Sequence, residues 1–229
     1  MAWRCSQSEY RRRYLARVDA AEAARYDDLV GHLGPEDQEA YLQDLQQACT
    51  LKPGAAVLDA GAGTGTVSSL LARFSGLSIT ALEPSPALLG RLAARAELSA
   101  VEVVEGFCDA PEDRNLFPAA RFDAIVSRQL ANGLFDPLAA FRNWHHWLVP
   151  SGTLVVIDGL YGRAAWSGAQ EGDVDRLPLA AVQGMALIPY LLETAGFHVD
   201  AVQPMRAVNA RPGTKTPRYL VAATKASGR

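Results

Sequence analysis

Ala55-Ala56-Val57-Leu58-Asp59-Ala60-Gly61-Ala62-Gly63-Thr64-Gly65-Thr66 is the stretch that decides the architecture of this 229-residue chain. The apolar run Ala55 to Leu58 reads as a buried strand that ends at an acid, Asp59. Three glycines follow at every second position, and Val67 to Phe74 reads as a helix. Strand, glycine turn and helix place a ligand-binding loop at the carboxyl end of a central strand in an α/β sheet. Glycine permits φ > 0 and carries no Cβ to obstruct close approach of a nucleotide-like ligand.

Two groups of cofactor-binding folds use such a turn, and spacing separates them. A dinucleotide fingerprint is G-x-G-x-x-G, which would need glycine at position 66. Thr66 stands there, and the third glycine is Gly65. An NAD(P) oxidoreductase is therefore disfavoured. The pattern D-x-G-x-G-x-G, with its acid two residues before Gly61, resembles motif I of the class I S-adenosylmethionine-dependent methyltransferases.

The downstream chain alternates strand and helix. Leu77 to Leu82 reads as a strand ending at Glu83. Ser85-Pro86 caps and starts a helix to about Glu97. Val101 to Glu105 alternates as a strand, and Asp109-Ala110 follows in a loop. Phe122 to Ser127 is the next strand, Leu138 to Leu148 an aromatic-rich helix, and Thr153 to Asp158 a further strand. A polar stretch, Gly159 to Leu177, shows no clear period. A helix over Gly184 to Ala195 stops at Gly196. Phe197 to Gln203 and Tyr219 to Thr224 form two final strands with no helix between them, expected as an antiparallel hairpin. The alternation predicts a parallel doubly wound α/β sheet covered on both faces. The resemblance, which covers residues 50–225, implies a Rossmann-like seven-stranded sheet ordered 3-2-1-4-5-7-6 with its last strand antiparallel.

Residues 6–50 read as helical and precede the first strand. Tyr10, Tyr14 and Val18 recur on one helix face. Pro35-Glu36-Asp37 opens a third helix that runs to about Cys49. The expected organisation is a helical cap over 1–50 and a methyltransferase domain over 51–229, forming one compact unit.

Composition narrows the function. With 49% hydrophobic and 21% charged residues, the chain is an ordinary globular protein with one sizeable core. A formal net charge of -3 argues against a nucleic-acid substrate. The only basic run, Arg11-Arg12-Arg13, reads as a solvated helix face. Cys5, Cys49 and Cys108 are few and scattered, which suits a reduced, cytoplasmic protein without a zinc site. The four histidines form no metal-ligand spacing, so no metal is expected. No apolar run reaches the roughly 20 residues of a membrane span, and Met1 to Ser6 lacks a secretory signal core. Monomer and homodimer are both open.

Glu83 is placed to accept hydrogen bonds from a ribose diol. By the resemblance, the cofactor is S-adenosyl-L-methionine, with S-adenosyl-L-homocysteine as product. Its site would comprise Asp59, Ala60, Gly61, Gly63, Gly65, Glu83, Pro84, Asp109, Ala110, Ser127, Gln129 and Tyr26. Asp109 would receive the adenine amino group, and the Ala110 N–H would meet a ring nitrogen. Ser127 to Leu130 would face the methionine part, with Asp59 balancing its ammonium through water. The segment is not the [N/D]-P-P-[Y/F] motif of base and glutamine methylating enzymes. Val18-Asp19 with Tyr26-Asp27 resembles a signature of the small-molecule, quinone-biosynthesis-like branch, in which the tyrosine packs over the methionine end. Val18 stands where an aromatic is usual.

The expected reaction is methyl transfer to a small-molecule acceptor, with the acceptor atom (O, N or C) open. Protein or peptide methylation, and cofactor binding without turnover, are the alternatives. The catalytic assignment is unknown; Tyr26, Asp158 and Tyr161 are candidates, the last two at a strand's carboxyl end along with Arg163. His145 and His146 lie on the helix expected to pack on the sheet, away from the methyl.

Overall fold

The computed structural model describes residues 5–166 and 172–226. Its sheet has seven strands: β1 (Ala56–Ala60), β2 (Ser78–Glu83), β3 (Glu102–Glu105), β4 (Phe122–Arg128), β5 (Leu148–Gly159), β6 (Phe197–Pro204) and β7 (Arg218–Lys225). Their order is β3-β2-β1-β4-β5-β7-β6. Strands β1 to β5 run parallel, and β7 is inserted antiparallel between β5 and β6. The topology implied by the resemblance is the one observed.

Helices cover both faces because the central strands are apolar on both. Residues Leu58, Ile125, Leu154, Val156 and Val221 pack under α6 (Pro137–Trp147) and α7 (Leu187–Thr194), where Trp144 and Trp147 are fully buried. Their neighbours Val57, Val126, Val155, Ile157 and Leu220 face the opposite layer. That layer is α3 (Pro35–Ala48), α4 (Thr66–Leu71) and the short α8 (Arg206–Asn209). Strand alternation sends consecutive apolar residues to opposite faces, so a continuous apolar run marks a doubly covered strand.

Before the sheet come α1 (Gln7–Arg17) and α2 (Ala20–Tyr26), capped by the Ser6 and Asp19 side chains. A π-helical turn, Asp27–Gly31, continues α2. Gly31 is required there: a Cβ on it would fall 2.2 Å from Thr64 Oγ1.

The last two strands, expected to have no helix between them, are joined through the one-turn α8 (Arg206–Asn209), and α4 ends at Leu71 rather than Phe74. Other boundaries differ as well. The helix α5 (Pro86–Ala93) stops short of Glu97, because Arg95 leaves helical geometry and donates to Asp27 Oδ1 at 2.8 Å. Strand β5 begins at Leu148, since Pro150-Ser151-Gly152 bends the strand at a register shift rather than preceding it as a turn. Helix α7 starts at Leu187 rather than Gly184. The expectation for Gly159 to Leu177 falls partly on residues 167–171, outside the described residues. Among the described residues, no helix is long and apolar enough to cross a membrane.

Candidate active site

A cavity opens at the carboxyl ends of β1, β2 and β4, roofed by α1 and α2 and closed on one side by Trp166, Asp173 and Leu177. It lies where the strand order reverses, the crevice in which open α/β sheets bind ligands. The glycine turn forms its floor. Gly61 has φ 72°, and a Cβ there would meet Leu130 Cδ1 at 2.9 Å; Gly63 has φ 56° and faces the Tyr26 ring. Gly65 serves a different purpose. It precedes α4 at φ 91°, and a Cβ would lie 2.7 Å from Leu98 Cδ1 and 3.0 Å from Leu92 Cγ. Its role is close packing of α4 against α5, outside the cavity lining.

Glu83 ends β2 in the cavity and is 4% exposed. Its carboxylate is oriented by three donors: Ser85 N–H to Oε1 at 3.0 Å, Gly63 N–H to Oε2 at 3.2 Å, and the Tyr14 hydroxyl to Oε1 at 3.1 Å. Burial raises its pKa to about 6 against these donors. Pro84 lines the cavity beside it. Asp59 is fully buried below the turn; its Oδ2 accepts from Ser68 Oγ at 2.7 Å and its Oδ1 has no partner. Burial lifts its pKa to about 7. Ala60, the next residue, is fully buried in the strand.

Seven buried side-chain polar atoms lack a partner among the described residues. Four of them belong to the adjacent ends of β1 and β4: Asp59 Oδ1, Ser127 Oγ, Arg128 Nε and Gln129 Oε1. Buried polar groups are otherwise almost always paired, so this concentration marks where a polar ligand belongs. Gln129 also holds a left-handed backbone at φ 55°, locked by its N–H to Ile157 O at 2.8 Å. Strain of this kind in a non-glycine residue gathers at ligand sites.

The groups expected to meet adenine, Asp109 and Ala110, have partners within the chain. Asp109 and Cys108 line the cavity, but the Asp109 carboxylate accepts from Phe135 N–H at 2.8 Å and from Arg11 at 2.7 Å. The Ala110 N–H donates to Asp113 Oδ2 at 2.8 Å. The cause is Arg11, which pairs with Asp109 and Asp113 and lies 4.5 Å over the Phe107 ring. Arg11 is thus a half-buried anchor of α1 rather than part of a solvated face, whereas Arg13 pairs with Glu9 along the helix. Charge alone does not distinguish the roles of two arginines two residues apart; the docking of α1 does.

The remaining candidates separate. Tyr26 lines the cavity, and burial raises its phenol pKa. Asp158 lies behind the lining: it accepts from Asn132 N–H at 3.1 Å, Asn132 Nδ2 at 3.2 Å and its neighbour Gly159 N–H at 2.7 Å, and burial raises its pKa to about 6. It braces the 131–133 turn, outside the cavity lining. The Tyr161 hydroxyl accepts from Gln129 Nε2 at 2.6 Å and from Arg218. Arg163 pairs with Asp175 at the surface. His145 packs edge-on against Phe197 and His146 contacts Arg114, both away from the cavity. Arg17, Asp173, Asn132 and Trp166 line the cavity without having been singled out in the sequence, and Arg128 lines it within the Ser127 to Leu130 segment expected to face the methionine part. Only Arg17 carried a signal, lying three residues after Tyr14 on the face that bears Tyr10.

A methyltransferase domain family model matches residues 35–207. The chain belongs to the class I S-adenosylmethionine-dependent methyltransferase family. A ubiquinone biosynthesis O-methyltransferase of Xanthomonas campestris pv. campestris (strain B100) is 34% identical over 111 residues, 48% of this chain and 46% of that protein. Another of that name from Xylella fastidiosa (strain 9a5c) is 36% identical over 161 residues, 67% of this chain and 65% of that protein. The matched stretch thus spans about half of the Xanthomonas relative's length. Phosphoethanolamine N-methyltransferase 2 of Haemonchus contortus, solved in complex with S-adenosyl-L-methionine, superposes with a TM-score of 0.70 at 18% identity. It covers 94% of this chain and 60% of that one, a likeness of fold.

Proposed function

We propose that this chain transfers the methyl group of S-adenosyl-L-methionine to a small planar acceptor that enters between α1 and the 172–180 segment. The observation that carries this is the set of unpartnered polar atoms at the ends of β1 and β4, set beside a glycine turn and a buried strand-end carboxylate. The cofactor supplies an electrophilic methyl on a positive sulfonium. Gly61 and Gly63 allow the chain to approach it, Glu83 accepts from its ribose, and Asp59 balances its ammonium through water. Tyr26 packs over Gly63 and shields the reacting end from water, so that alignment is the protein's main contribution.

The acceptor side is walled by Tyr10, Tyr14, Tyr26, Trp166, Leu134 and Leu177. A flat aromatic such as a hydroquinone or phenol suits these walls, in keeping with the acceptors that the relatives' names imply. With Asp158 and Tyr161 engaged elsewhere, no side chain stands out as a base, and an acceptor already acidic fits best. Residues 1–50 act as a cap on the 51–229 domain, in a cytoplasmic enzyme with no nucleic-acid partner. The test is incubation with isotopically labelled cofactor and a panel of hydroquinones, phenols and amines, read by product mass. A labelled hydroquinone or phenol is expected. Cofactor binding by calorimetry with no labelled product from any acceptor would favour a binding-only role.

A further inference from the structure

We propose that Arg128 seats the α-carboxylate of S-adenosyl-L-methionine and that, with Asp59, it forms a charge pair matched to the zwitterionic end of that molecule; this rests on the cofactor assignment above. Arg128 ends β4 and lines the cavity. Its guanidinium lies 4.9 Å over the ring of Tyr41, a residue of α3 that is 4% exposed. The ring fixes the plane of the guanidinium and leaves its donor edges free. Among the described residues no carboxylate forms an ion pair with it, and its Nε is buried without a partner. The other arginines of the roof differ: Arg11 is held by Asp109 and Asp113, and Arg17 by Asp173 at 2.9 Å.

A buried donor without an acceptor is unfavourable, and the Nε of the half-buried Arg128 is one. The acceptor that completes it must also suit the neighbour. Asp59 pairs in register with Val126, so Arg128 sits one strand over and two residues further along, on the same face of the sheet. There Asp59 Oδ1 awaits a donor. A site that needs a carboxylate at one point and a cation beside it fits an α-amino acid. Of the parts of S-adenosyl-L-methionine, the adenosine is neutral and the sulfonium is positive, so only the amino-acid end supplies both signs. A phosphate would satisfy Arg128 and leave Asp59 facing a second anion. The guanidinium can take the carboxylate through two parallel N–H donors.

The test is calorimetric titration of the full chain with S-adenosyl-L-methionine and with its decarboxylated analogue, which keeps every other group. The wild type is expected to prefer the intact molecule by about 10- to 100-fold, the range for a charge-assisted bidentate contact. R128M is expected to bring the two ligands to within about threefold by removing that contact. R128K keeps the charge without the planar fork and is expected to fall between them; it also serves if R128M fails to fold by far-UV circular dichroism. A wild-type preference retained in R128M, or in R128K where only that variant folds, overturns the role of Arg128 and leaves the cofactor assignment standing. A wild type that binds neither molecule overturns the cofactor assignment itself.

Discussion

At the scale of the residue, three buried carboxylates set a pH dependence. Burial raises Asp59 from 3.8 to about 7, Glu83 from 4.5 to about 6 and Asp158 from 3.8 to about 6. All three folded values lie above the unfolded ones, so the folded chain binds these protons more tightly. Their contribution to stability is therefore largest below the unfolded values and declines as pH rises through 4 to 7. Ligand binding has the opposite sign, since an ammonium and ribose hydroxyls are received by the ionised forms. The ligand-free wild type is expected to lose thermal stability relative to D59N between pH 5 and 7.5, while its cofactor affinity rises. Melting curves and calorimetry across that range check both; a flat wild-type-minus-D59N difference contradicts the burial of an ionisable Asp59. Gly61→Val forces a Cβ toward Leu130 at φ 72°, and Glu83→Ala removes the ribose acceptor. Each is expected to weaken cofactor binding by at least about 10-fold, from the loss of hydrogen bonds to a charged group or of the space to make them. Unchanged affinity in both would mean the cofactor lies elsewhere.

At the scale of the element, the cap is attached by polar contacts that no periodicity announces. Asp27, at the start of the π-helical turn, accepts from Arg91 Nε at 3.0 Å, Arg91 Nη2 at 2.9 Å and Arg95 Nη2 at 2.8 Å. Thr66 Oγ1 donates to Gly31 O at 2.6 Å at the other end of the turn. Together these hold Tyr26 over Gly63. The Asp27 side chain is 17% exposed, so the ion pairs are partly screened, and D27A is expected to cost about 1–3 kcal/mol, below the value of a fully buried pair. Hydrogen exchange should then quicken in residues 20–31 while β1 and β4 stay protected; uniform quickening would point to global destabilisation. The Tyr26-Asp27 pair was visible in the sequence as a signature, but the partners of Asp27 were not, because Arg91 and Arg95 lie more than 60 residues away.

At the scale of the whole molecule, the cap and the sheet share one core. Tyr41, Leu42 and Leu45 of α3 pack with Val57, Val126 and Leu220, and Asp44 accepts from the N–H groups of Ala207 and Val208 that open α8. We expect far-UV and near-UV thermal transitions to coincide, with S-adenosylhomocysteine moving both upward together. Separate transitions would show the cap to be an independent unit. On the other face Trp144 is fully buried beneath α7 and the sheet. Trp144→Ala is expected to cost about 3–5 kcal/mol, the usual range for an emptied aromatic site, measured by denaturant unfolding.

Local chemistry was enough to mark the alternating strands and helices, the glycine turn and the strand-end acid, while the order of the sheet came with the family resemblance. Apolar runs, φ > 0 requirements and caps act over a few residues, and so they are legible along the chain. Which acids remain available to a ligand was decided only in three dimensions. Arg11 takes Asp109, Asn132 takes Asp158, and the Nε of Arg128 is left without a partner among the described residues. Each of these outcomes depends on side chains brought together from distant segments, and a charge's partner is set by where it is buried rather than by its neighbours in sequence.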